Sequence, residues 1–577
     1  LTHWATVKHN ISRSALTDLL HILVSYHPEL PLDSRTLLET PVSTEIISLN
    51  TGEFCYIGLE NALKKVLRYI NCQLFQKLEI CFNVDGIPLF KSSKEQLWPI
   101  LGQIKNFECR PFVVALFSGK SKPKPINQYF NNFVIELNNL LQNGFCFNGK
   151  FFEIKVHSFV CDAPARAFLK CIKSHTGYSC CEKCTEGGQY YKNKIVLLNT
   201  NAQKRTNELF RKQDDIEHHL GETPLLKLPI DLIKCFPIDY MHNICLGIMR
   251  KLLNTWLKGP LHVRLSQCSV NIISDRLINL KIYMPSEFNR KPRSLDELAN
   301  WKATEFRSFL LYVGPFVLRN VLDTAVYENF LLIHFLVSIL LSDIHIKNFG
   351  IPFVQNMINI FIKHCKNLYG LEFLVYNVHI VSHICDDVNV FGPLDKFSAF
   401  AFESYLGQLK KLVKSPKNIL QQIHRRLAEI NLPIDNFTQN NIERLKYEHV
   451  LGPLINSNHY NWKKQFKKLC FNNITLTIYS YNNSDCYCSF FHGNAVVQIH
   501  NIVVTTKGRI YIIGKQFLEY QDLYSYPCQS SDLNIFIVKN LSTFKLWSIN
   551  NFFNKCIVYP FNNISFVSLP IIHSFSN

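Results

Sequence analysis

No stretch of the sequence is apolar for the roughly 20 residues that a membrane-spanning helix needs. The most apolar run, Phe330 to Leu341, is shorter and is interrupted by His334. It reads as a buried helix, and no membrane partner is expected. No block of consecutive lysines and arginines exists, so the formal net charge of +18 must come from scattered residues gathered by folding. No signal-peptide pattern is visible at the start of the sequence, and none is expected. No internal repeat is visible, and the one biased tract is the Asn-rich stretch from about 431 to 480. The 20 cysteines lack the regular spacing of a disulfide framework. They are expected to stay reduced in the cytosol or nucleus. The first residue is Leu1 rather than Met, so a fragment lacking an upstream domain is an expectation.

What is present is a globular composition, 47% hydrophobic and 18% charged in 577 residues. That excludes a disordered chain, and the length exceeds what one core supports. The basic balance favours an anionic partner, of which nucleic acid is the commonest.

Residues 1 to about 75 read as helical, with Ser12 or Ser14 as a cap and Leu16, Leu19, Leu20 and Leu23 as an apolar stripe. A second helix is expected from Leu59 to Ile70. From Leu78 to Val84 the pattern becomes a strand that ends at Asp85-Gly86. Pro111 to Phe117 is a second strand and Asn127 to Leu141 a helix. Phe151 to Val160 is a third strand, ending at Cys161-Asp162, and Ala163 to Ile172 is helical again. Mostly helical patterns fill 173 to about 385, and one long Lys/Arg-rich helix is expected from Phe397 to Ile430. Short β runs at Ala495–Ile499, Ile502–Val504, Ile510–Ile513 and Ile535–Val538 suggest a small barrel or sandwich.

Two aspartates at neighbouring strand ends repel, and a hard divalent cation relieves that repulsion. A pair of Mg²⁺ or Mn²⁺ ions roughly 3.5–4 Å apart performs phosphodiester chemistry. Glu403, a lone acid in the aromatic run Phe397 to Leu406, would complete the ligand set. Each acid also has a plainer reading. Asp85 before Gly86 forms turns, Asp162 before Ala-Pro caps a helix, and Glu403 could pair with a basic residue.

Cys181-x-x-Cys184 and His379-x-x-x-His383 are the second constellation. A CxxC turn offers two thiolates to one ion, and His at i and i+4 share a helix face. Together they would form a closed structural Zn²⁺ site, with Cys180 as a spare ligand. The alternative is a buried thiol pair and two core histidines. Asp239 and His242 are expected on one helix, where a plain surface pair is equally acceptable. Lys410, Lys411, Lys414, Lys417, Arg425 and Arg426 follow Glu403 and could meet a DNA backbone, or form a solvated face. Lys120 to Lys124 reads as a basic loop near DNA.

The stretches carrying these residues resemble the transposases of CACTA (En/Spm-like) elements. They are Phe82 to Ser93 with Trp98-Pro99-Ile100, Cys161 to Phe168, Cys171 to Tyr178, Cys181 to Cys184, Pro237 to Gly247 and Ser398 to Gly407. Where that family often has Pro before the Phe-Glu pair, this chain has Ala401. The resemblance implies a DDE recombinase, with Asp85, Asp162 and Glu403 as the catalytic, metal-binding acids. It implies a nuclear enzyme acting on double-stranded transposon ends and target DNA, as a homodimer or larger assembly. The Asp239–His242 spacing resembles a motif between the second Asp and the Glu of many such enzymes, and the Cys and His set looks like one shared by related recombinases. The expected fold is α/β, with a helical N-terminal region (1–75) as a candidate DNA contact, and a ribonuclease-H-like core (76–172). A helical insertion with the zinc site (173–390), the glutamate helix (391–430), a linker (431–480) and a small all-β domain (481–577) follow. The alternative is a domesticated or inactive DNA-binding descendant.

Overall fold

The first sheet contains β1 (Ile47–Leu49), β2 (Gly52–Tyr56), β3 (Lys77–Val84), β4 (Ile87–Pro88), β5 (Gln96–Ile104), β6 (Phe112–Gly119), β7 (Phe145–Phe147) and β8 (Lys150–Phe159). These come from a computed structural model that describes residues 1–9, 11–68, 76–107, 109–430, 444–455, 461–491 and 495–573. The strand order is β1-β2-β6-β5-β3-β8-β7, with β4 on β5. Strand β3 runs parallel to β8 and antiparallel to β5.

Strand β3 is buried at six of its eight positions because both its faces are covered. Leu78, Ile80, Phe82 and Val84 point to one side, where the Ile126–Asn143 helix supplies Phe130, Phe133 and Leu137. Phe82 and Phe133 meet edge to face at 5.0 Å. Cys81, one residue out of phase, points the other way with Leu97, Leu101 and Leu116 into a second core shared with the helical region. The period-2 alternation of a strand thus divides one sequence run between two cores.

The N-terminal region is not wholly helical. Helices Arg13–Leu23 and Leu59–Leu67 form, but β1 and β2 intervene as a hairpin on the edge of the sheet. A Cβ at Gly52 would lie 2.1 Å from the Ser118 carbonyl oxygen, so glycine permits that docking. Residues 69–75, the end of the expected second helix, lie outside the described residues. Strand β5 is not evident in the sequence because Pro99, in its middle, lacks an N–H and argues against a strand.

Residues 173–239, expected to be mostly helical, are largely irregular, holding a hairpin of β9 (Gln189–Tyr191) and β10 (Lys194–Val196) and a short helix, Asn207–Lys212. Residues 240–390 are mainly helical. At their centre the Thr324–Leu340 helix is buried on nearly all sides. Among the described residues no single helix is long and apolar enough to cross a membrane. The single long helix expected from Phe397 to Ile430 is instead two, Phe400–Leu412 and Ile419–Glu429. Val413 is extended, Pro416 follows, and Asn418 starts the second helix from the left-handed region at φ 52°.

The expected linker 431–480 also requires correction. Residues 431–443 lie outside the described residues, but β11 (Arg444–His449), β12 (Trp462–Phe471) and β13 (Ile474–Thr477) occupy much of the remainder. They join β14 (Tyr487–Phe490), β15 (Ala495–Thr505), β16 (Ile510–Asp522), β17 (Phe536–Ser548), β18 (Phe552–Pro560) and β19 (Ser565–Pro570). Pairing runs β15-β14-β18-β19-β17-β16, and β16 returns to β15, closing a barrel. The two runs read as separate strands at 495–499 and 502–504 are one strand, with a register shift between Ile499 and Asn501.

The barrel is packed onto the helices rather than tethered to them. Leu523, Tyr524, Ile557 and Tyr559 share the core of the helical region. Buried Lys555 donates to Glu287 at 2.6 Å and to Asp485 at 2.6 Å. His334 accepts at Nε2 from the Tyr524 hydroxyl (2.9 Å) and donates from Nδ1 to the Leu310 carbonyl (2.9 Å).

Candidate active site and metal centre

The ends of β3 and β8 are fastened together. Asn83 donates its side-chain amide to the Val160 carbonyl at 2.7 Å, the Val160 N–H bonds to Phe82 O at 2.8 Å, and the Val84 N–H meets Cys161 Sγ at 3.3 Å. Asp85 and Asp162 therefore leave the sheet from adjacent strands. Both also serve the plainer roles. Asp85 Oδ1 accepts from the Gly86 N–H at 2.7 Å, and Asp162 Oδ1 caps the Ala163–Lys170 helix through the Ala165 N–H at 2.7 Å. Gly86 is required where it stands, since a Cβ there would come within 2.3 Å of the Trp98 ring.

Glu403 arrives from the first turn of the Phe400–Leu412 helix. Its carboxylate, that of Asp85 and the His242 imidazole offer ligand atoms within 4.8 Å of one another. Asp162 stands outside that tight group, yet its charge is felt within it. Burial, then the Asp162 and Glu403 carboxylates, push Asp85 well above the usual carboxylate range, with His242 opposing. Like charges held this way favour a bound cation.

Asp239 organises two of these groups. It lies fully buried just ahead of the Met241–Met249 helix, not on it as the sequence suggested. Its Oδ2 accepts from His242 N–H (3.0 Å) and from Nδ1 (2.7 Å), while Oδ1 accepts from the Ala399 N–H (2.9 Å). His242 Nε2 then faces Glu403 at 3.8 Å. Burial alone would make this imidazole a weaker base, but Asp239, Asp85 and Asp162 together hold it at about 9.

Cys181, Cys184, His379 and His383 converge as a second group, all buried, their ligand atoms within 4.8 Å of one another. The sulfurs are 3.4 Å apart, Cys184 Sγ is 3.3 Å from His379 Nε2, and Cys181 Sγ is 3.8 Å from His383 Nε2. Burial raises the Cys181 thiol, whereas its hydrogen bond to Cys184 lowers the latter. Cys180 is buried but outside this set.

A buried polar network connects the two centres, and the sequence did not single it out. Arg166, one turn after Asp162, binds Glu182 at 2.6 Å between the two cysteines, and Tyr376 donates to the same carboxylate at 3.0 Å. Lys183 binds Asp387 at 2.8 Å, and Asp387 accepts from the Ile238 N–H beside Asp239 at 2.7 Å. Burial would raise Glu182, but Arg166, Lys170 and Lys183 outweigh it and hold Glu182 at about 2. The available signal was the charged residues inside otherwise apolar stretches, since buried charges need partners.

The basic residues after Glu403 separate into two groups. Lys410 binds the Pro88 carbonyl and Lys411, Lys414 and Lys417 are exposed. Arg425 instead donates to Val42 O at 3.0 Å, tying the helix to the N-terminal region, and Arg426 pairs within its own helix with Glu429 at 3.0 Å. Lys122 lies over the Trp98 and Phe168 rings, within the fields of Asp162 and Asp85.

Residues 448–571 match a domain of unknown function, DUF8592. No curated protein gives a significant match to the chain. The DUF8592 segment takes in β12 to β19 and so nearly the whole barrel. It contributes Lys555 and Asp485 to the buried ionic cluster with Glu287. One side of DUF8592 is therefore committed to the helical region that carries His242.

Proposed function

We propose that this chain is a DDE transposase of the CACTA type, cutting and rejoining DNA at a centre formed by Asp85, Asp162 and Glu403. The observation that carries the reading is that Asp85 and Glu403, far apart in the chain, meet within one ligand cluster whose field includes Asp162. A mixed sheet flanked by helices, with the long helical segment falling between the second acid and the third, supports a ribonuclease-H-like core carrying an insertion. The net charge of +18 suits a polyanionic substrate.

The site fits hard cations, since two carboxylates and one imidazole meet there with the Asp162 carboxylate close enough to act on Asp85. Mg²⁺ or Mn²⁺ held there would polarise the phosphate and lower the pKa of an attacking water. Asp85, Asp162 and Glu403 would hold the ions. His242, oriented by Asp239, presents Nε2 beside Glu403, where it can hold or pass a proton. Hydrolysis breaks the bond to the 3′-oxygen and transfers water's oxygen to phosphorus. The freed 3′-hydroxyl then attacks a target phosphate, displacing the target's own 3′-oxygen.

The Cys and His group fits Zn²⁺. Bonds of about 2.3 Å to sulfur and about 2.0 Å to nitrogen place tetrahedral ligand atoms roughly 3.3–3.8 Å apart. Four protein ligands leave no open position, so its role is structural. A nuclear location and assembly into at least a dimer to pair two ends belong to the same reading.

The test is Mn²⁺-dependent cleavage of a duplex carrying the inverted repeats that flank the gene. Cleavage by the parent and none by Asp85→Ala or Glu403→Gln is expected. The position of Asp162 outside the tight group favours one alternative, a DNA-binding descendant without chemistry. Binding of the same duplex with no cleavage in Mn²⁺ is the result that selects it.

A further inference from the structure

A cavity of about 1010 Å³ opens directly beside Glu403 and His242. Three parts of the chain enclose it: the helical region, the Phe400–Leu412 helix, and the DUF8592 segment through Asn473 and Thr475 of the β12–β13 hairpin. Four exposed cations, Arg250, Arg290, Lys302 and Lys411, stand around it. Among the described residues none of the four has a carboxylate within ion-pairing distance. Deeper in, the Arg307 guanidinium lies 4.0 Å above the Phe400 ring. The Trp301 indole is only 6% exposed, and its Nε1–H has no hydrogen-bond partner among the described residues.

A buried indole N–H is a donor only, and it calls for an acceptor. Unpaired cations around an enclosed space call for an anion. A chamber of this size admits a drug-sized group and not a duplex. The features that bind single-stranded nucleic acid are cations along the backbone and ring systems beneath the bases. From these observations we infer that the chamber receives an unpaired DNA segment adjoining the bond held between Asp85 and Glu403. Arg290 and Lys302 contact its phosphates, and Trp301 donates to a base or phosphate oxygen. DUF8592 then acts as the outer wall of the strand channel. The inference rests on the nuclease reading for its choice of DNA.

The test uses the full chain and fluorescence anisotropy with three probes: a single-stranded oligonucleotide, a blunt duplex, and a duplex with a single-stranded overhang. The double variant R290E/K302E is expected to lose single-strand and overhang binding by about 10-fold or more. Its log–log salt dependence should flatten by about one unit per lost phosphate contact. Blunt-duplex binding should change much less. Trp301→Phe should weaken the overhang complex while keeping the parent's melting temperature. If Trp301→Phe does not fold, the two exposed positions carry the test. Equal losses for blunt and overhang duplexes, or no loss, would overturn the inference. Cleavage is scored separately. A parent that binds overhangs through Arg290 and Lys302 but never cuts defeats the nuclease reading and keeps the chamber as a single-strand binding site.

Discussion

Asp239 accepts the backbone N–H of Ala399 at 2.9 Å, joining positions 160 residues apart. The bond fixes the residue that starts the Glu403 helix. The other oxygen of the same carboxylate holds His242. Asp239 is therefore a positioning residue for two of the groups at the centre, although it reaches neither Glu403 nor Asp85 itself.

Asp239→Asn should keep one acceptor for Ala399 but turn an amide NH₂ toward the His242 N–H groups. Mn²⁺-dependent cleavage is expected to fall about 10- to 100-fold, with far-ultraviolet circular dichroism unchanged. Asp239→Ala should also lower stability by a few kcal/mol, roughly 3, because buried N–H groups lose their acceptor. Full cleavage activity in Asp239→Asn would show that the His242 bonds are dispensable, and in Asp239→Ala that the bond to Ala399 is as well.

Asp85→Asn removes a charge from a crowded acid cluster. The metal-free variant is expected to be more stable than the metal-free parent by about 1 kcal/mol, read as a higher melting temperature. It should also lose the parent's Mn²⁺-induced rise in melting temperature. Paired thermal scans with and without Mn²⁺ check both outcomes. A lower melting temperature without metal would mean that the carboxylates do not strain one another.

Zinc removal should act on the fold. Metal analysis of the purified chain is expected to find about one Zn²⁺ per molecule. Cys184→Ser should lose it and destabilise the helical region by about 3 kcal/mol or more. Because the Arg166–Glu182 pair lies between the two centres, Mn²⁺ affinity should fall as well. Retention of zinc by the Cys184→Ser protein would remove Cys184 from the ligand set.

His334 predicts a pH dependence. Burial lowers its imidazole from 6.5 to about 4, and its bonds to Leu310 and Tyr524 suit the neutral ring. The unfolded chain thus binds a proton between those values that the folded chain refuses. The stabilisation is complete above about pH 6.5 and declines as pH falls toward 4, by up to about 3 kcal/mol. Melting temperature against pH should show this slope in the parent and a shallower one in His334→Gln. Equal slopes would assign the acid sensitivity to other groups.

The strands ending at Asp85 and Asp162 were legible in the sequence because apolar runs stopped abruptly at an acid. The Cys and His spacing was legible for a similar reason: each pair lies within a single local turn. What could not be read depends on distant contacts. Strand β5 was hidden by Pro99, the β1–β2 hairpin by its short length, and the break at Pro416 by the basic pattern on both sides of it. Arg166–Glu182 and Lys183–Asp387 have no local signature, because each charge is tolerable only beside a partner from another element. The exposed lysines after Glu403 could be located in sequence, but not separated from Arg425, whose bond to Val42 depends on the fold.

The bond from Asp239 to Ala399 also orders events in time. A growing chain can finish its central sheet early, with both aspartates in position. It then translates the whole helical segment before the Glu403 helix can dock. Until that late arrival the cluster is incomplete, so a prematurely terminated product would carry Asp85 and Asp162 without Glu403.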